Sequence, residues 1–125
     1  MSTWGAGNFD SDEARDYLGG FLEQLVEQIE ETVAEDEAMI PDESDSVQMM
    51  CNVELLWLLA KSIGAVIPEA NTVEEWKTRY LGIWDETIDE LEPDEGFKEE
   101  RRAVIVESFD RLIKLCEEQD KLEER

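Results

Sequence analysis

The sequence predicts an all-α fold: a single-domain, four-helix bundle-like arrangement with a glycine-containing N-terminal loop packed on it. Three observations carry this. Apolar residues recur at three-and-four spacing in four separate segments, the period of one helical face. Gly64, Pro68 and Pro93 fall in the gaps between segments. Alternating, strand-like patterning is weak throughout, the ambiguous run Ala103–Val106 aside. At 125 residues the chain suits one domain with a real core. Its 42% hydrophobic content separates it from disordered acidic tails.

The expected elements follow in order within a domain covering 1–125. Residues 1–10 form a loop. The first helix covers about 11–34, with a stripe of Leu18, Phe21, Leu22, Leu25, Ile29 and Val33. Asp10 or Ser11 is its N-cap, and Asp12 and Glu13 suit the first turn. Gly19-Gly20 weakens it by up to ~1 kcal/mol per glycine, which predicts a bend or a start only after the pair. The second helix covers about 46–64 and is apolar nearly all round, from Val47 through Met50, Val53, Leu56 and Leu59 to Ile63. Such a helix is expected at the centre, covered on most sides. Gly64 and Pro68 end it. The third, about 72–91, opens on the capping-box pattern Thr72-x-x-Glu75. Its stripe is Val73, Trp76, Tyr80, Ile83, Trp84, Ile88 and Leu91, and Gly82 reads as a site of close backbone approach. The fourth covers about 95–122, through Val104, Ile105, Ser108, Phe109, Leu112, Leu115 and Cys116.

The charge is extreme and lopsided. There are 34 acids against 11 bases, a net −23. Residues 1–60 hold fifteen acids and one base, Arg15, a balance of −14. Such a field repels nucleic acid and anionic membrane and attracts basic partners or cations; an alternative is that it serves solubility alone. Arg101-Arg102 is the one adjacent basic pair and follows Glu99-Glu100, so intrahelical pairing accounts for it. Direct nucleic-acid binding is not expected. The longest apolar run, Leu55–Ala60, is far too short for a bilayer, and no basic-plus-apolar leader opens the chain, so a soluble, cytoplasmic protein is expected. Cys51 and Cys116 read as buried free thiols.

There is no histidine, which removes the commonest general base and most catalytic zinc sites. No catalytic residue, metal site or cofactor is assigned. A metal-dependent hydrolase of the all-α nucleotide pyrophosphatase kind would need carboxylates three apart on facing helices to hold magnesium. Glu27-x-x-Glu30, Glu86-x-x-Asp89 and Glu107-x-x-Asp110 have that spacing, but all three fall on or near the polar side. Asp42 and Asp45 lack the spacing and central glycine of an EF-hand.

The opening string Trp4-Gly5-Ala6-Gly7-Asn8-Phe9-Asp10-Ser11-Asp12, continued by Ala14 and Asp16, is the most unusual stretch. Acids beside it argue against phosphate in the Gly5-Ala6-Gly7 loop. The glycines are expected to take positive φ, so that Trp4 and Phe9 both pack on the bundle. Read as W-G-x-G-x-F-x-[S/N]-D-x-A-x-D, the string resembles the start of a bacterial family known as domain of unknown function 4259. Trp4, Gly5, Gly7, Phe9, Asp12, Ala14 and Asp16 match position by position, and Ser11 stands where many members have Asn. The resemblance implies a bacterial, cytoplasmic, mostly helical domain and carries no catalytic residue with it.

Six acids of the connection between the first two helices, Glu35, Asp36, Glu37, Asp42, Glu43 and Asp45, surround Met39, Ile40 and Pro41. The functional expectation is a non-enzymatic binding module, immunity- or antitoxin-like by analogy. Its first helix and this loop would meet a basic protein, with Met39 and Ile40 as the apolar contacts. A DNA-mimic inhibitor and the magnesium hydrolase are the alternatives. Homo-oligomerisation through Trp57, Trp76 or Trp84 is a further possibility. A competing reading of the connection is an ordinary solvated loop whose Ile40 tucks into the core.

Overall fold

A computed structural model describes residues 3–123; residues 1, 2, 124 and 125 of the expected domain lie outside the described residues. Four helices form: α1 (Asp12–Val33), α2 (Ser44–Ile63), α3 (Ala70–Thr87) and α4 (Glu95–Glu123). Short 3-10 turns at Asp36–Met39 and Ile88–Leu91 follow α1 and α3. Round the core the neighbours run α1, α2, α4, α3, and the first 3-10 turn closes one end against α1, α2 and α3. The fold is the expected all-α one, with no strand among the described residues.

Most of each stripe read from the sequence faces inward, while Phe21 of α1 and Val104 of α4 are exposed. Leu18, Leu22, Leu25, Ile29 and Val33 of α1 meet Met49, Val53 and Leu56 of α2 in one core with Val73, Trp76, Tyr80 and Trp84 of α3 and Ile105, Phe109 and Leu112 of α4. Gly64 ends α2 in the left-handed region (φ 77°). The Gly64 N–H donates to the Ala60 carbonyl and the Ala65 N–H to that of Leu59, a glycine-terminated helix end.

Several expectations are corrected. Helix α1 runs unbroken through Gly19-Gly20, because both glycines are on its exposed side and nothing packs against them. Alanine at both positions is therefore expected to raise stability by about 1–2 kcal/mol; thermal melting of the double variant checks it. Gly82 likewise has open space rather than an approaching backbone. The Thr72-x-x-Glu75 capping box is not used. Helix α3 starts two residues earlier, at Ala70, whose N–H donates to Asp120 Oδ2 of α4 at 3.1 Å. Beside it the Ile67 N–H donates to Gln119 Oε1, and Gln119 Nε2 donates to the Ala65 carbonyl. The cap thus comes from the far end of the chain. Leu91 is exposed, because the chain tightens into a 3-10 turn at Ile88 and leaves it through a left-handed Glu92 (φ 50°).

Nor is α2 covered as its composition suggests: Val47, Leu55 and Leu58 are exposed. Cys116 is fully buried, but Cys51 is exposed. Arg102 pairs across to Asp85 of α3 through two bonds of 2.9 Å, not within its own helix, and that guanidinium holds the Asp85 carboxyl below its usual range.

The N-terminal motif is held from within. The Trp4 N–H donates to the Asp10 carbonyl at 3.0 Å and Thr3 bridges Ser11, while the Gly7 N–H donates to Asp10 Oδ2 at 2.9 Å. Neither Gly5 nor Gly7 has positive φ. Their bareness serves Asp10 instead: a Cβ at either would sit 2.6 Å from Oδ2. Ser11 is the N-cap, its Oγ accepting from the Ala14 N–H at 3.2 Å. Phe9 packs against the core, but Trp4 is 55% exposed, so one aromatic anchors the loop rather than two. Asp12 and Asp16 lie exposed on the first turns of α1, and Ala14 is half-buried.

Candidate functional site

The backbone of the connection between α1 and α2 is built by turns. After α1, the Ala38 N–H donates to the Glu35 carbonyl at 3.1 Å, and the Glu43 N–H to that of Ile40 at 2.9 Å. Met39 between them is fully buried. Its carbonyl accepts from Ser46 Oγ at 3.1 Å, and Ser46 Oγ lies 2.8 Å from Tyr80 Oη. This buried set fastens the connection to α2 and α3, so each polar group finds a partner. Burial pushes the Tyr80 phenol above its ordinary value, partly opposed by the Ser46 hydrogen bond.

Two hollows open beside this fastening. One, of about 480 Å³, is lined by Glu35, Glu37, Ala38, Ile40, Glu43 and Asp45. The second, of about 210 Å³, shares Glu35, Ala38 and Asp45 and adds Glu31, Thr32 and Met49. On its wall Asn52 Nδ2 donates to Gln28 Oε1 at 3.1 Å, joining α2 to α1. The two form one groove with five carboxylates, those of Glu31, Glu35, Glu37, Glu43 and Asp45, and no basic residue in its lining.

Of the candidate residues, the structure brings Glu35, Glu37, Glu43, Asp45 and a half-buried Ile40 together on this groove. Asp36 turns away to Arg79, 3.2 Å off, and Asp42 is exposed outside both hollows. Met39 is a correction: as a core side chain it offers a partner nothing. Sequence reasoning missed Glu31, Gln28, Thr32, Gln48 and Asn52. The signal for Asn52 was present, since it is the one amide inside the apolar run 49–60. Its tie to Gln28 needs the packing of two helices to be known.

The magnesium-type pairs do not converge. Asp89 is 2.7 Å from Lys98 and Asp110 is 2.6 Å from Lys77. Among the described residues no three His, Cys, Asp or Glu side chains are grouped to hold a metal ion. Among them too, no helix is long and apolar enough to cross a membrane.

The profile of the family described as Domain of unknown function (DUF4259) matches residues 2–124. The chain belongs to that family. Comparison with curated proteins and with solved structures returns no match.

Proposed function

We propose that this protein is a non-enzymatic, immunity- or antitoxin-like binding module whose acidic groove receives a basic protein surface. The observation that carries the reading is that five carboxylates, and no base, line two adjoining hollows. Lysine or arginine meeting these carboxylates forms charge-assisted hydrogen bonds, stronger than those between neutral groups. The surrounding −14 of residues 1–60 accelerates encounter, and Ile40 with Ala38 supplies a small apolar floor once water is expelled.

The test uses wild type and an E35Q/E43Q/D45N variant as baits in lysate of the source cells. A basic protein held by the wild type at low salt, released by about 0.5 M salt and not held by the variant is the expected result. Equal capture by both baits, or capture indifferent to salt, would overturn the proposal. If duplex DNA competes for the captured protein, the module is a DNA-mimic inhibitor acting through the same groove.

A further inference from the structure

Helix α2 buries one face against α1 and α4, and its opposite face is apolar as well. Val47, Leu55 and Leu58 are between 38% and 55% exposed and share that outer face with the exposed Cys51. The seam is about 16 Å long at helical rise. It continues onto α4 through Val104, which with Val47, Met50 and Cys51 lines a hollow of about 180 Å³ between the two helices. Scattered exposed apolar side chains need no explanation, whereas a contiguous strip of them marks an interaction surface.

Charge selects what covers it. Between Ser46 and Ile63 the only charged residues are Glu54 and Lys61. Arg111 of α4 pairs with Glu54 and lies over the Trp57 ring, 4.1 Å from its centroid. Arg101 borders the hollow. In a chain of −23 this is a face that carries no excess of acid. Two copies meeting through α1 would set acid against acid; meeting through α2 they bring together only Glu54, which Arg111 already pairs. A basic partner gains nothing here, and shares no residue of the acidic groove.

We propose that the exposed face of α2 is the seat of a second copy of this chain, the two α2 helices packing antiparallel about a two-fold axis near the middle of the seam. A two-fold contact of this kind is self-complementary and closes at two chains. The hollow beside Val104 then receives an apolar side chain from the partner's seam.

Sedimentation of the full chain at about 100 µM is expected to give the mass of two chains, dissociating on dilution. The distant like charges of the two copies are screened by salt, so the dimer tightens severalfold as salt rises. The acidic-groove complex would weaken under the same change, which keeps the two proposals separable. An L55E/L58E variant, with its helical circular dichroism retained because both sites are exposed, is expected to be a monomer. A short bis-maleimide should link wild-type chains through Cys51. Cys116 does not compete, being fully buried with its thiol pushed up to about 12 by burial and by Asp120. A monomer at every salt concentration overturns the proposal. So does a dimer that persists in L55E/L58E, or one that Cys51 does not link. Linkage through Cys51 also decides the matter should the double variant fail to fold.

Discussion

Phe109→Ala is expected to cost about 3–5 kcal/mol, the range for removing a buried aromatic, and to lower the melting temperature by roughly 15 °C for a chain of this size. Phe109 has no exposed surface. It belongs to α4 and meets Tyr80 of α3 with ring centroids 6.0 Å apart and planes inclined at 52°, a tilted pairing that adds to the area it buries. Alanine leaves a void that the surrounding helices can close only by shifting. The same void loosens Tyr80, and through it the hydroxyl of Ser46 and the carbonyl of Met39. Chemical denaturation checks the magnitude. A loss below about 1 kcal/mol would mean that the α3–α4 seam collapses freely, contrary to the packing of a close-filled core.

Met39→Ala separates two meanings of one residue. As a core side chain, Met39 should cost about 2–5 kcal/mol when truncated, with binding by the acidic groove changed only as far as the turn relaxes. As a partner contact, it would cost little stability and much affinity. Its complete burial predicts the first pattern, and a melting curve beside a capture assay tells the two apart. Ile40, half-buried on the groove wall, should behave in the opposite way.

Periodicity located the helices because burial is decided by one face per turn, and the stripes of α1, α3 and α4 turn inward nearly as spaced. What it left unread has a common cause. Phe21 shares the three-and-four spacing of α1, yet its position lies at the edge of the buried arc, and it is exposed. Helix α2 is apolar on both faces, and periodicity cannot say which face has no neighbour within the chain. Thr72 and Glu75 carry the local chemistry of a cap, but Asp120 supplies one from fifty residues away. The glycines of the motif were legible as necessary and misread as to why: the space they leave is for the Asp10 carboxylate. In the candidate groove, the acids within one loop were visible together. Glu31 and Asn52 join them only through the packing of α1 on α2.

The clasp of Gln119 and Asp120 on the start of α3 has a consequence for motion. The amides of Ile67 and Ala70 find their acceptors on the last described turns of α4, and the end turns of a helix open at a lower free energy than its middle. Their hydrogen exchange should therefore keep time with the opening of the C-terminal turns, not with unfolding of the α2–α3 connection they belong to. A spectroscopist following those two amides would be watching Gln119 and Asp120 let go.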